Sequence, residues 1–338
     1  MAKLIINLDK IVQNFRIVKK ICQHNHIKLV VVTKCCCGDN KIIQAIINAG
    51  ADIIAESQPK NFQGISVKKM LLHSSLSALE NHFTCDFIFI SELEILKKYS
   101  QSPLSKQSQV IIPVEMGDMR EGVLPEELVY FLNQALVENV QIAGFSANFG
   151  CFQATEPKVD WFNNFIQCVE KVEYQCHFKS ALLSIGGTSI WSLFYNNLFP
   201  KKINQLRIGE GIFLGYDPAL KREIPSLSQE TFKLKGEILE IKDKKDHENQ
   251  DKGFRQRAII DFGYASTLTN GLRSTQEGVE IIGSSQDVTV IDITNANTSI
   301  SIGDHLEFSL RYESLVRAMI SPSFEKVYVY DGRNVSQQ

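Results

Sequence analysis

Between Lys28 and Ile208 the chain alternates between short apolar, β-branched runs and longer stretches with apolar residues at helical spacing. The runs are Leu29–Val32, Asp52–Ala55, Lys69–Leu72, Asp86–Ile90, Val110–Val114, Val140–Phe145, Ala181–Ser184 and Gln205–Ile208. Uninterrupted runs of this kind fit strands buried on both faces, as in parallel sheets. Between them lie helical patterns such as Lys41–Ala49, Glu92–Tyr99, Pro125–Glu138 and Trp161–Cys176. Strand–helix alternation argues for a parallel sheet with crossover helices, and eight strand units point to a closed (β/α)8 barrel.

The texture changes after Leu214. Tyr216 to Ser228 reads as a connector, and beyond it short strand patterns follow one another: Lys233–Ile241, Arg257–Gly263, Val279–Gly283, Val288–Thr294, His305–Leu310 and Lys326–Tyr330. No long helical pattern remains, so the expected division is a barrel domain over residues 1–225 and a smaller all-β domain over 226–338. The charged stretch Asp243–Arg255 reads as a solvated hairpin loop.

Bulk properties narrow the class. A length of 338 residues suffices for a large core, with 44% hydrophobic and 22% charged residues and a net charge of −2. That balance gives no reason to expect nucleic acid or an anionic membrane as partner. No apolar run reaches the ~20 residues of a membrane helix, and Met1–Asp9 does not read as a secretion signal. The eight cysteines form no CxxC pair, and three are adjacent at Cys35–Cys37. Adjacent thiols are badly placed to pair with one another or to surround zinc. Reduced thiols in a cytoplasmic protein without a metal site are therefore expected.

In a (β/α)8 barrel the reactive residues come from the C-terminal ends of the strands. Those ends carry Lys34, Ser57, His73, Arg120, Asn148, Gly186-Gly187-Thr188-Ser189 and Arg207-Ile208-Gly209-Glu210-Gly211. A lysine ending a buried strand is poorly solvated, which favours a free, nucleophilic amine. The alternative is a lysine that merely snorkels out of the strand end. The seventh and eighth strands both lead into glycine-rich loops, where backbone N–H groups can converge on a phosphate. Each could also be only a tight turn. Together, an amine that can form a Schiff base and a phosphate site suit pyridoxal 5′-phosphate.

Several motifs, in order and along nearly the whole chain, carry a resemblance. They are Val32-Thr33-Lys34 with Cys37-Gly38-Asp39, Met116 to Gly122, Leu206-Arg207-Ile208-Gly209-Glu210, Gly263-Tyr264-Ala265, Gln286-Asp287 and Tyr312-Glu313-Ser314-Leu315. The chain resembles the fold-type III alanine racemase family, specifically its predicted amino-acid, ornithine-type branch. The resemblance implies that Lys34 holds the cofactor as a Schiff base and serves as one of two bases. It implies that Arg207 faces the pyridine nitrogen, that Arg120 bonds the cofactor phenolate or the substrate carboxylate, and that Asn148 lies against the ring. Ser189, the backbone near Gly209 and Glu210, and the Tyr312 hydroxyl are implied phosphate contacts. Tyr264, supplied by a partner subunit of a homodimer, is the implied second base, with Gln286 and Asp287 facing the substrate.

One feature departs from the alanine racemase pattern, and one leaves the branch open. No tyrosine follows Lys34 closely, and the ornithine-type branch need not have a tyrosine at position 264. For a cationic substrate side chain, Asp118, Glu121 and Asp287 are the candidate carboxylates. The expected activity is a pyridoxal-phosphate-dependent amino-acid racemase acting on ornithine or a related amino acid. A decarboxylase of the same fold, a non-catalytic pyridoxal-phosphate carrier and a cofactor-free Schiff-base aldolase remain as alternatives.

Overall fold

All eight apolar runs become parallel strands, and the last of them closes onto the first. The computed structural model describes residues 1–150, 155–196, 198–245, 254–330 and 333–335. The chain opens with β1 (Lys3–Asn7) and α1 (Leu8–His24). The barrel strands follow: β2 (Lys28–Val32), β3 (Ile53–Glu56), β4 (Lys68–Leu71), β5 (Phe87–Phe89), β6 (Gln109–Pro113), β7 (Ile142–Asn148), β8 (Leu182–Gly186) and β9 (Gln205–Ile208). Closure runs through parallel pairing of Lys28 with Gln205 to Val31 with Ile208.

Helices α2 (Asn40–Asn48), α3 (Leu76–Leu79), α4 (Leu93–Ser100), α5 (Leu128–Val137), α6 (Val159–Gln175), α7 (Trp191–Tyr195) and α8 (Glu210–Leu214) lie between or after the strands. The start of α2 shows why the chain turns where it does. The Asp39 carboxylate accepts the Ile42 N–H at 3.2 Å, an N-cap that satisfies one of the helix's free donors. Ile42, Ile43 and Ile46 then form its buried stripe.

Val30, Ile53, Ala55, Met70, Leu72, Phe87, Phe89, Ile111, Ala143 and Leu182 make one continuous apolar cluster. The strands β7 to β9 also bury Ser146, Ser184, Gln205 and Arg207. A buried cation is tolerated only where such polar partners surround it. The barrel therefore keeps its polar core beside the strand that bears Arg207.

The chain divides into two units, 14–34 with 38–227 and 1–13 with 35–37 and 228–338. The second of these units takes in residues 1–13 as well as the chain from Ser228 onward. The second unit contains β10 to β19 only in part: β10 (Tyr216–Asp217) and β11 (Arg222–Glu223) form a ribbon before it. Its own strands are β12 (Phe232–Lys245), β13 (Phe254–Ile260), β14 (Leu272–Ser274), β15 (Glu280–Ser284), β16 (Thr289–Asp292), β17 (His305–Leu310), β18 (Glu325–Tyr330) and β19 (Arg333–Val335). Strand β1 belongs here, antiparallel to β12 and parallel to β18, because its alternating Leu4 and Ile6 are fully buried in this sheet.

Beside its strands the second unit carries the short helix α9 (Tyr312–Ile320), which buries Ser314, Leu315, Ala318 and Met319. One expectation changes. The ends of the expected loop Asp243–Arg255 are strand, with Lys245 paired to Phe254, and 246–253 lie outside the described residues. Among the described residues no helix is long and apolar enough to cross a membrane.

Candidate active site

Lys34 follows β2 by two residues and is half-buried at the C-terminal end of the barrel. The corner that carries it is fixed from below. Thr33 is fully buried, and its hydroxyl donates to Oε1 of Glu56 at 2.5 Å. The other carboxylate oxygen of Glu56 accepts the Asn61 amide at 3.1 Å. Burial pushes the Glu56 carboxyl above its usual range, opposed by the Thr33, Asn61 and Ser57 donors and by the Lys34 charge. Glu56 was legible in the sequence only as a strand end. A carboxylate closing the apolar run Ile53-Ile54-Ala55 was the available signal.

Across the rim, the segment after β6 folds around Glu115. Its carboxylate accepts the N–H groups of Gly117 at 2.6 Å, Met119 at 3.0 Å and Arg120 at 3.1 Å. Three donors on one carboxylate, with the backbone bonds of Glu115 and Val123 closing the base, hold the loop that presents Arg120 and Glu121. Arg120 is engaged by its neighbour: Nε lies 2.6 Å from Glu121 Oε2, and the terminal nitrogen donates to Oε1 at 3.0 Å. Asp118 is 3.8 Å from the same Nε. An incoming anion must therefore share Arg120 with Glu121 or displace it.

His73, just past β4, registers these groups together. Its withdrawal from water lowers its pKa most; the Glu121 carboxylate opposes this, and the Lys34 and Arg120 cations lower it further. Lys34, Arg120 and Glu121 thus all act electrostatically on this one imidazole at the rim.

Arg207 is 3% exposed, inside the barrel on β9. Its guanidinium donates to Ser184 Oγ at 2.7 Å, the Ala147 carbonyl at 3.2 Å and the Asn148 side-chain oxygen at 2.9 Å. Its carbon lies 4.9 Å from the centroid of the Phe89 ring, a cation–π contact. Asn148 in turn donates to Glu121 Oε1 at 3.4 Å. Arg207, Asn148, Glu121 and Arg120 therefore form one chain of contacts. Gly186 is required beside it, since a Cβ there would collide with Asn148 Oδ1 and the Arg207 guanidinium.

The two glycine-rich loops also meet. Thr188 Oγ1 accepts the Gly211 N–H at 2.9 Å, joining the loop after β8 to the start of α8, where Gly209 and Glu210 stand. Ser189 is 1% exposed, and its hydroxyl donates to the Phe149 carbonyl at 2.8 Å. Ser192, on the following turn, is buried with a hydroxyl that has no hydrogen-bond partner among the described residues.

Tyr264, Gln286, Asp287 and Tyr312 lie in the second unit. Tyr264 is 52% exposed, and its N–H donates to Ser285 O at 3.0 Å while Ala265 N donates to Gln286 O at 3.1 Å. That pairing brings Tyr264 beside the exposed Gln286–Asp287 turn. Tyr312 begins α9, tied to the same segment by Thr267 Oγ1 to Ser314 O at 3.0 Å and Ser314 Oγ to Leu268 O at 2.6 Å. Tyr264, Gln286 and Asp287 thus share one exposed corner.

Residues 6–217 match the family model "Alanine racemase, N-terminal domain". The chain belongs to the alanine racemase family. It is 33% identical to lysine racemase of Thermotoga maritima, over 96% of this chain and 98% of that one. It is 28% identical to ornithine racemase of Acetoanaerobium sticklandii, again over 96% and 98%. Among solved structures, alanine racemase of Bartonella henselae with covalently bound pyridoxal phosphate superimposes with a TM-score of 0.72 at 15% identity, over 97% of this chain and 99% of that chain. At that identity the likeness speaks for the fold. A barrel followed by a β domain is the architecture of this family, as the strand count implied.

Proposed function

We propose that this chain interconverts the L and D forms of a basic amino acid of the lysine or ornithine class, by moving the α-proton between two bases. The isomerase class and pyridoxal 5′-phosphate go with the family. The observation that carries the substrate class is near-complete alignment with relatives named for lysine and ornithine. The acidic group at the rim supports it: Glu121 and Asp118 flank Arg120 where a cationic side chain needs a counter-charge.

The donor set fits the cofactor. Lys34 offers an amine, Arg207 a buried cation, and the linked loops at Thr188–Ser189 and Gly209–Gly211 offer hydroxyl and backbone groups. The buried hydroxyl of Ser192 beside those loops, without a partner among the described residues, adds a polar group that a phosphate would satisfy. Bound pyridoxal phosphate supplies an electron sink for the negative charge that builds at the substrate α-carbon.

The chain's own residues do the rest. Lys34 takes or returns the α-proton at Nζ on one face. The Tyr264 hydroxyl of a second copy does so on the other face, as inversion by proton transfer requires a base and an acid on opposite sides. Arg207 carries a permanent positive charge that would disfavour a proton on the ring nitrogen of the bound group. Asn148, oriented by Arg207, would lie against that ring. Ser189, Gly209 and Glu210 would hold the phosphate, Arg120 would bond the cofactor phenolate or the substrate carboxylate, and Gln286 and Asp287 would face the substrate from the partner. In this reading the working form is a homodimer.

Incubation with single enantiomers of lysine, ornithine, alanine and serine tests the reading by chiral chromatography. Approach to a racemate from either enantiomer, fastest with a basic side chain, is expected. Carbon dioxide release without inversion, or no change in any amino acid, overturns it.

A further inference from the structure

The mechanism above leaves one buried ionisable group at the barrel rim unused. Glu56 is fully buried, yet every group named at its carboxylate is a donor: the Thr33 hydroxyl, the Asn61 amide and the Ser57 N–H. A neutral acid could place its proton only on the Thr33 hydroxyl, which would then turn its own proton to the Ala55 carbonyl at 3.4 Å, while the Asn61 and Ser57 donors still call for acceptor oxygens. The ionised form instead matches them, because a carboxylate only accepts. The ring is also closed by backbone shape. Gly38 holds φ +78°, and a Cβ there would stand 2.8 Å from Asn61 Oδ1, so glycine at 38 is what lets Asn61 reach Glu56. Thr33 and Gly38 bracket Lys34 in the chain, so both ends of the lysine's corner are tied to this one carboxylate.

We propose that Glu56 is a positioning residue for Lys34: clamped by Thr33, Asn61 and the Ser57 N–H, its carboxylate fixes the strand end that carries the lysine and, when ionised, sets a negative charge facing the lysine. Glu56 touches neither substrate nor cofactor in this role. It acts through Lys34, and so rests on the reading of Lys34 as the cofactor-bearing amine. The charged groups in electrostatic contact at this rim are Glu56 from β3, His73 after β4, and Arg120 with Glu121 after β6. The charge that faces Glu56 is that of Lys34.

The test uses full-length apo-protein, pulsed with acetic anhydride across a pH series, with acetylation of Lys34 read by peptide mass spectrometry. An adjacent anion stabilises the ammonium form, so Glu56→Gln moves the midpoint of Lys34 acetylation down by about one pH unit. Glu56→Asp, which keeps the charge, restores most of that shift. A folded Glu56→Gln protein with an unchanged midpoint would overturn the proposal and leave Glu56 a packing residue. If Glu56→Gln shows no cooperative thermal transition, Thr33→Val decides. The charge is then kept and the clamp lost, so an unchanged midpoint with several-fold faster cofactor release supports the proposal, and unchanged release contradicts it. Because acetylation is read without cofactor, a shifted midpoint in a protein that never binds pyridoxal phosphate would sink the functional reading and spare this one.

Discussion

Arg207 and Asn148 are locked together: the guanidinium donates to the asparagine side-chain oxygen at 2.9 Å, deep in the polar side of the barrel. The contact fixes which way the asparagine amide points, towards Glu121. A rigid cation on β9 and an oriented amide on β7, either side of β8, are the kind of preorganised surface a planar ring can settle on.

Arg207→Lys tests that lock. One ammonium cannot serve Ser184, Ala147 and Asn148 in the guanidinium's fork geometry, nor stack on Phe89 in the same way. The variant is expected to lose about 2 kcal/mol of stability, from unsatisfied buried acceptors and a weakened ring contact. Denaturant unfolding of the apo-protein measures it, and an unchanged midpoint would show the network to be slack.

Glu121→Gln tests the substrate class. Removing the carboxylate beside Arg120 is expected to lower kcat/KM for lysine and ornithine about tenfold, a loss of ~1.4 kcal/mol, with a smaller effect on alanine. Equal losses on all substrates would assign Glu121 to holding Arg120 instead.

The thiols set a stability limit on the alkaline side. Burial pushes Cys22 and Cys85 up from 9.0 to about 12, with Asp86 adding to the effect at Cys85. A raised folded pKa means the unfolded chain loses these protons first. Their contribution is therefore complete below pH 9.0 and is lost as pH climbs towards about 12. Unfolding free energy should fall above pH 9.0 by up to about 1.4 kcal/mol per pH unit for each thiol. Cys22→Ala should flatten that slope, while native protein leaves both thiols unreactive to an aromatic disulfide reagent.

Gly38→Ala should strain the turn after Lys34. A φ of +78° costs an L-residue roughly 1–2 kcal/mol, and the new methyl would press on Asn61. Thermal unfolding is expected to shift down accordingly; a neutral result would mean the turn relaxes freely.

Much of the barrel was legible because each strand is a local apolar run, and its C-terminal residue follows from position alone. Lys34, Arg120, Asn148, Ser189 and Arg207 came from that rule. What a run of residues does not show is pairing at long separation. Leu4 and Ile6 alternate too briefly to announce a strand, and their partners lie near Leu234 and Val327. Helix α9 was read as a motif around Tyr312 rather than as an amphipathic turn, since only nine residues carry its pattern. The Arg120–Glu121 pair and the Thr33–Glu56 bond were hidden for a different reason. Both are carboxylates whose partners are set by side-chain direction, which sequence order does not encode.

Borohydride reduction of the cofactor-loaded protein, followed by peptide mapping, bears most directly on the central claim that Lys34 carries pyridoxal phosphate. The account predicts a phosphopyridoxyl adduct on Lys34 and none at that position in Lys34→Ala. An adduct on a different lysine, or no adduct in protein that racemises amino acids, would contradict it.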